Sequence, residues 1–124
     1  MLSCILYLQQ QKIIIMTTIQ KNDKVLTIIN VFTVEPEKQE ELLSQLVKNT
    51  DDFISASAGF ISANFHKSLD GKNVVNYGQW ESMEAYQAML KTEDGQKMLA
   101  EGGKIAIGIQ PNVYHVYDTR DREA

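Results

Sequence analysis

Residues 58–87 read AGFISANFHKSLDGKNVVNYGQWESMEAYQ, and the fold is decided in this stretch. Two runs rich in β-branched and aromatic side chains, Phe60–Leu69 and Lys72–Glu81, flank the dipeptide Asp70-Gly71. An Asp-Gly pair between two such runs predicts a β-hairpin, because glycine adopts a positive φ without a Cβ clash. Ser82 after the second run is suited to cap a helix, since its hydroxyl can accept a backbone N–H. The stretch therefore predicts a strand, a tight turn, a second strand and a helix.

Segments on both sides of the hairpin complete a βαββαβ order. Val25–Val34 carries apolar residues on both faces, which is typical of a strand inside a sheet. A helix is predicted from Glu35-Pro36, with apolar residues at helical spacing up to a stop near Gly59. A second short helix is predicted over Thr92–Ala100, ended by Gly102-Gly103, and a last strand over Val113–Thr119. This order predicts an α+β, ferredoxin-like fold, in which an antiparallel sheet of strand order 4-1-3-2 carries both helices on one face.

Length and composition indicate one domain and exclude several function classes. The chain has 124 residues, a formal net charge of −4 and a single cysteine, Cys4. The acidic balance argues against a nucleic-acid partner. One cysteine gives neither a disulfide framework nor a thiol cluster for zinc, and this usage fits the cytoplasm.

The domain is predicted to span residues 24–119 and to be followed by a charged tail at 120–124. Residues 1–23 do not continue its pattern and are expected to be an N-terminal extension, disordered or the result of a misplaced start, with Met16 as the candidate true start. Neither apolar run in residues 1–16 is long enough to span a bilayer, so no membrane association is expected.

One face of the predicted sheet is expected to meet a second copy of the chain. The helices cover the other face, yet apolar side chains also point to this one: Val25, Ile29, Val31 and Tyr77. An apolar surface of this kind rarely stays exposed to water. We therefore expect a homodimer that packs sheet against sheet.

Neutral polar side chains on an apolar scaffold form the candidate site. Asn76 and Trp80 are four residues apart on one strand and so share a face, while Asn30 lies on the neighbouring first strand. Tyr86 lies one turn into the following helix. Their amide, indole and hydroxyl groups can hold the oxygens of a flat aromatic substrate and relay a proton. Each also has an ordinary structural interpretation, as a packing anchor, a satisfied amide or a core tyrosine.

Further substrate contacts are assigned to four residues: Phe32, Phe65, His66 and Met89. The face of His66 depends on the turn. A two-residue Asp70-Gly71 turn pairs His66 with Val75, away from Asn76, whereas a three-residue loop with a glycine bulge reverses the face. No metal site is expected within one subunit, because the two histidines lie on opposite edge strands, about 14 Å apart.

The same stretch resembles the antibiotic biosynthesis monooxygenase family, above all its cofactor-independent members, which oxidise aromatic polyketide anthrones to quinones. The resemblance is carried by Gly59-Phe60, His66, Asp70-Gly71, Val75-Asn76-Tyr77, Gln79-Trp80-Glu81-Ser82 and Ala85-Tyr86. It implies a dimeric α/β barrel and dioxygen chemistry without a cofactor. It also implies that Asn76, Trp80 and Tyr86 match the Asn, Trp and Tyr with which the family contacts its substrate.

Two features depart from patterns within that family. Its arginine in the helix after Tyr86 has no counterpart here, and Lys97 could replace it only as a point charge. The haem-degrading branch carries Trp and His where this chain has Met89 and Leu99, which argues against haem degradation.

We therefore predict a small cofactor-independent monooxygenase acting on an electron-rich aromatic such as an anthrone or a hydroquinone, with Asn76, Trp80 and Tyr86 as its catalytic set. The alternative is a non-catalytic dimeric barrel that binds a small hydrophobic ligand or has a stress or structural role. An open chamber beside these three side chains favours the enzyme, and solid packing of them favours the alternative.

Overall fold

Four strands and three helices form the fold of the computed structural model, which describes residues 16–21 and 24–123. In chain order they are β1 (Leu26–Thr33), α1 (Gln39–Asp52), β2 (Phe60–Lys67), β3 (Asn73–Trp80), α2 (Met83–Lys91), α3 (Glu93–Ile105) and β4 (Gly108–Tyr114). Short 3₁₀ turns at Pro36–Lys38 and Ile54–Ala56 flank α1. The strands form one antiparallel sheet in the order β2-β3-β1-β4. This confirms the predicted α+β, ferredoxin-like arrangement.

The hairpin between β2 and β3 closes through a turn from Ser68 to Gly71. The Gly71 N–H donates to the Ser68 carbonyl over 3.2 Å, and Gly71 has a φ of +80°. The Asp70 carboxylate accepts from the Lys72 backbone N–H at 2.9 Å and from the Ser68 hydroxyl at 2.7 Å. These two bonds hold the pKa of Asp70 below its ordinary value. Local hydrogen bonds thus fix the turn that the dipeptide predicted.

The register of the hairpin settles the face of His66. His66 pairs with Val75 across the two strands, the pairing expected for a two-residue turn. The Ser68 N–H donates to the Asn73 carbonyl at 3.0 Å, so the loop between this pair has four residues. With this even loop length His66 lies on the same face as its partner Val75. Since adjacent strand residues point to opposite faces, His66 lies on the face away from Asn76.

The helices after β3 begin as their polar residues predict. The Ser82 hydroxyl accepts the Ala85 N–H at 3.1 Å at the start of α2, and the Thr92 hydroxyl accepts the Gly95 N–H at 3.0 Å at the start of α3. The helical segment that follows the hairpin is therefore two helices, which meet at Thr92.

The predicted end of the last helix is wrong. Instead of stopping at Gly102-Gly103, α3 continues through both glycines to Ile105, and the Ala106 N–H donates to the Gly102 carbonyl at 2.9 Å. Ile105 and Ala106 pack against the buried cluster that contains Phe32. This packing offsets the helix cost of about 1 kcal/mol that each glycine carries.

The predicted last strand, Val113–Thr119, is also wrong in position. β4 is Gly108–Tyr114, and it pairs with β1 from Gly108 opposite Thr33 to Tyr114 opposite Thr27. Pro111 therefore lies within the strand. An edge strand tolerates proline, because its missing N–H can face solvent.

The face covered by the helices has two separate buried clusters rather than one. The first consists of Phe32, Val34, Leu42 and Val74. The second consists of Ile28, Trp80 and Met89. Both sit on the same face of β1 and β3, one toward each end of the strands.

The opposite face carries the apolar residues predicted for it. Ile29 pairs with Tyr77 and Val31 with Val75, and these side chains are about half-buried. Residues 16–21 run over one end of this face, where the Thr17 hydroxyl donates to Asn64 Oδ1 at 2.8 Å. Gln79 Nε2 also donates to the Thr18 carbonyl at 2.8 Å. The beginning of the predicted extension, residues 1–15, lies outside the described residues.

No helix within the described parts of the chain is long and apolar enough to span a bilayer.

Candidate functional site

Two asparagines face each other in the middle of the sheet. Asn30 on β1 and Asn76 on β3 are cross-strand partners, and Asn76 alternates with the buried Val74 and Trp80 on the helix-covered face. The Oδ1 atoms of both asparagines are buried and have no hydrogen-bond partner among the described residues. A buried acceptor left unpaired costs about 1–3 kcal/mol. Two such acceptors side by side indicate a place where a ligand with hydrogen-bond donors fits.

The asparagine pair lies between the two apolar clusters. Along β1 and β3, Phe32 and Val74 are the next pair toward the first cluster, and Ile28 and Gly78 are the next pair toward the second. Phe65 on β2 is the other cross-strand neighbour of Asn76 and is half-buried on the same face. The polar pair is thus surrounded by apolar and aromatic side chains, as a site for an aromatic ligand requires.

Trp80 anchors the second cluster through its ring. The residue is 3% exposed, and its ring makes edge contacts with Phe60 at 5.4 Å and with Tyr86 at 5.5 Å between centroids. The packing interpretation therefore holds for the indole ring as a whole. Its Nε1 lies on the side of Gly78, where a Cβ would come within 3.9 Å of it. The indole N–H therefore lies beside Gly78, the residue that separates Trp80 from Asn76 on this face of β3.

Tyr86 on α2 connects the helix layer to the asparagine pair. Burial raises the pKa of its hydroxyl above the ordinary value of 10.0, while a hydrogen bond from the Asn30 side chain works in the opposite direction. The phenol is therefore neutral at physiological pH and can donate a proton but not abstract one.

The remaining predicted contacts fall in three places. Met89 is buried beside Trp80 in the second cluster, and Phe32 is buried in the first. His66 does not join them, because the hairpin register places it on the opposite face, exposed, with Nδ1 3.2 Å from the Asn64 carbonyl. The structure therefore does not bring His66 together with Asn76.

Sequence reasoning missed Gly78, which the structure places between Asn76 and Trp80 on the same face. It is buried, and its neighbours across the strands are Ile28 and Ala63. The sequence does carry a signal for this residue, because a glycine inside a predicted strand often marks a place where a ligand or another backbone comes close.

A cleft opens between α1 and α3, with a volume of about 410 Å³. Two of its lining residues, Phe53 and Met98, also pack against the cluster that contains Trp80. Lys97, the substitute considered for the family arginine, lines this cleft and is exposed. The described residues contain no group of three or more His, Cys, Asp or Glu that could hold a metal ion.

Comparison with known proteins agrees with the geometry. The family model described as antibiotic biosynthesis monooxygenase matches residues 25–101. Tetracenomycin-F1 monooxygenase of Streptomyces glaucescens is 50% identical over 74 residues, a match that covers 60% of this chain and 66% of that protein. The matched part is thus slightly less than two thirds of that relative.

Solved structures give the same fold. A monooxygenase from the gene ActVA-Orf6 of Streptomyces coelicolor, in complex with Nanaomycin D, has a TM-score of 0.70 and 26% identity, over 82% of this chain and 96% of that one. An anthrone oxidase-like protein has a TM-score of 0.70 and 30% identity, over 77% of this chain and 40% of that one. The family match extends over more than half of the residues, including β1 and the whole hairpin. The chain therefore belongs to the antibiotic biosynthesis monooxygenase family.

Proposed function

We propose that this chain is a monooxygenase that oxidises an electron-rich aromatic compound, an anthrone or a similar phenolic substrate, with dioxygen and without a bound cofactor. The observation that carries the proposal is the Asn30–Asn76 pair, whose two buried Oδ1 atoms have no partner among the described residues. Hydroxyl groups of a phenolic substrate are donors that satisfy such acceptors. The names of two similar proteins, tetracenomycin-F1 monooxygenase and an anthrone oxidase-like protein, support the same substrate class.

The substrate itself supplies the electrons for the reaction. An anthrone methylene loses a proton to water, and the resulting carbanion, delocalised as a phenolate, reduces dioxygen by one electron. The radical pair combines to a peroxide anion, which takes a proton and then loses water to give the carbonyl of the quinone. One oxygen atom enters the product and the other leaves as water, so four electrons pass from the substrate to dioxygen. The protein has to bind the substrate, stabilise its anion and exclude bulk water.

Each residue of the site has a defined task in this proposal. The asparagine amides bind the substrate oxygens, and the N–H groups of Asn76 and Trp80 stabilise the anion. Tyr86, whose phenol is neutral and whose pKa is raised by burial, donates the proton to the peroxide and recovers it from water. Phe65 and Met89 supply apolar walls, since both flank this polar group on the helix-covered face.

The proposed assembly is a homodimer formed through the free face of the sheet. An apolar patch on that face is half-buried in the monomer, and it consists of Ile29, Val31, Val75 and Tyr77. Residues 16–21 cover only the end of the face near Asn64 and Gln79.

Oxygen uptake with a panel of anthrones and hydroquinones tests the proposal. We expect the wild type to consume one dioxygen per quinone formed from an anthrone. Asn76→Ala should be slower by roughly 10- to 100-fold, as expected for the loss of a hydrogen bond to a charged group. Gln87→Ala is the control, because it removes an amide that is exposed on α2, away from the open face of the sheet. Absence of uptake, or equal rates in wild type and Asn76→Ala, would contradict the proposal.

The alternative, a ligand-binding barrel without catalysis, is favoured by one observation. The Trp80 ring is fully packed between Phe60 and Tyr86 rather than lining an open chamber. Saturable binding of an anthrone without oxygen uptake would support this alternative.

A further inference from the structure

Gly78 is a glycine that neither backbone geometry nor close packing requires. Among the described residues, positive φ values occur at Gly59 and Gly71, so Gly78 has a conformation open to other residues. A Cβ built at Gly59 would lie 2.5 Å from the Ala85 Cβ, and one at Gly95 would lie 2.3 Å from the Met89 carbonyl oxygen. Glycine is sterically required at those two positions. The Gly78 position differs from both.

Among the described residues, the atoms nearest to a Cβ at Gly78 belong to strands rather than to a helix. The three atoms nearest to a Cβ built there are the Ile28 carbonyl oxygen at 3.6 Å, the Ser62 carbonyl oxygen at 3.8 Å and Trp80 Nε1 at 3.9 Å. All three belong to strands, so no helix atom comes closer than 3.9 Å. These are ordinary van der Waals distances, and an alanine would fit in the chain as it stands.

A glycine in a buried strand weakens the strand, since it has no side chain to pack and loses more backbone entropy on folding. Gly78 lies on the same face as Asn76 and Trp80 and directly between them in the alternation of β3. Across the strand its neighbour on β2 is Ala63, another small residue. Neither of the two small residues places a side chain larger than a methyl group beside Asn76, whose Oδ1 atom is unpaired among the described residues.

We infer that Gly78 determines substrate specificity. Because Gly78 has no side chain, one ring of a flat, fused aromatic substrate can lie against β3 at this position, between Asn76 and Trp80. We call this position the ring seat. This inference rests on the proposed function and adds the size and shape of the substrate. A ring seated there lies flat against the peptide backbone of β3. Its hydroxyl groups then come within reach of the asparagine oxygens. A methyl group at this position would lift the ring from the strand, and the branched side chain of valine would fill the ring seat.

Fluorescence provides a binding test that does not depend on turnover, because Trp80 is the single tryptophan of the chain. Titration with 2,6-dihydroxyanthraquinone, a flat three-ring compound that carries hydroxyl donors and cannot be oxidised further at its carbonyl carbons, should quench the Trp80 emission of the wild type saturably. Gly78→Ala should raise the dissociation constant by about tenfold, and Gly78→Val should abolish saturable quenching. Gly108→Ala is the control and should bind as the wild type does, since no atom of the described residues lies within 4 Å of a Cβ there.

Urea denaturation of the same variants separates blocked binding from disrupted folding. Gly78→Ala should be at least as stable as the wild type, because alanine fits at ordinary contact distances and restricts the unfolded chain. A strong loss of stability in Gly78→Ala would show that the space is part of the packed core, which would overturn the inference. Binding of 2,6-dihydroxyanthraquinone equal to that of the wild type in both Gly78 variants would overturn it as well.

Oxygen uptake with a two-ring hydroquinone and a three-ring anthrone then distinguishes this inference from the proposed function. Gly78→Ala should raise KM more for the three-ring than for the two-ring substrate, with a smaller change in kcat. If the wild type oxidises anthrones and Gly78→Val does so equally well, the role of Gly78 in substrate binding is refuted, whereas the proposed function is supported. If ligand binding responds to the variants as expected but neither the wild type nor the variants consume oxygen, the role of Gly78 in binding is supported and the monooxygenase proposal is refuted.

Discussion

At the scale of single residues, stability and function make opposite demands on Asn76. Its buried, unpaired Oδ1 destabilises the folded protein, whereas the proposed reaction needs it as a substrate contact. Asn76→Leu, which is close in volume, should therefore raise the free energy of unfolding by about 1 kcal/mol or more. Urea denaturation measures this change, and oxygen uptake should fall in the same variant. A lower free energy of unfolding would mean that the amide already has a structural partner.

Tyr86 should make stability depend on pH in the alkaline range. Its folded-state pKa is raised above 10.0, so the unfolded chain loses this proton at a lower pH than the folded chain. The stabilising contribution is complete below pH 10 and is lost as the pH rises through the folded-state pKa. The urea midpoint of the wild type should therefore fall above about pH 10, and that of Tyr86→Phe should fall less. Parallel curves for the two proteins would contradict this assignment.

The residue scale also shows what the sequence can reveal. The shared face of Asn76 and Trp80 follows from strand alternation alone, and the structure has both on the helix-covered side. The side of His66 depends on the parity of a loop, which residues of the strands do not encode. Gly78 was not predicted as a site residue, because a periodicity analysis depends on side chains and glycine has none.

At the scale of elements, local signals predicted well and signals from distant contacts did not. The hairpin and the start of α2 depend on hydrogen bonds within a few residues, at Asp70 and Ser82. The end of α3 depends instead on Ile105, which packs against a cluster from other elements. The position of β4 depends on its pairing with β1, more than 70 residues earlier in the chain.

The contact between α2 and α3 gives a prediction at this scale. A Cβ at Gly95 would meet the Met89 carbonyl oxygen at 2.3 Å, whereas in the described part of the chain no atom lies within 4 Å of one at Gly103. Gly95→Ala should lower the free energy of unfolding by about 1–3 kcal/mol. Gly103→Ala in the same helix should raise it by up to about 1 kcal/mol, because alanine favours the helix. Urea denaturation compares the two variants, and effects of the same sign would contradict the proposed contact.

At the scale of the whole molecule, the sheet has one closed and one open face. The helices close the face that carries the candidate site, and the open face carries the half-buried patch around Val31 and Tyr77. Sedimentation equilibrium of the wild type should give twice the chain mass of 14.0 kDa. Val31→Lys should give a single chain mass, because it would bury an unpaired charge between two sheets. Ser44→Lys on the exposed side of α1 is the control, and a dimer that survives Val31→Lys would place the interface elsewhere.

The binding position of an aromatic ligand tests the proposed site most directly, and a crystal structure of the protein with 2,6-dihydroxyanthraquinone measures it. We expect the ligand on the helix-covered face of the sheet, with one ring over Gly78 and with its edge beside Asn30 and Asn76. Ligand bound instead only in the cleft between α1 and α3, or on the open face of the sheet, would contradict the account.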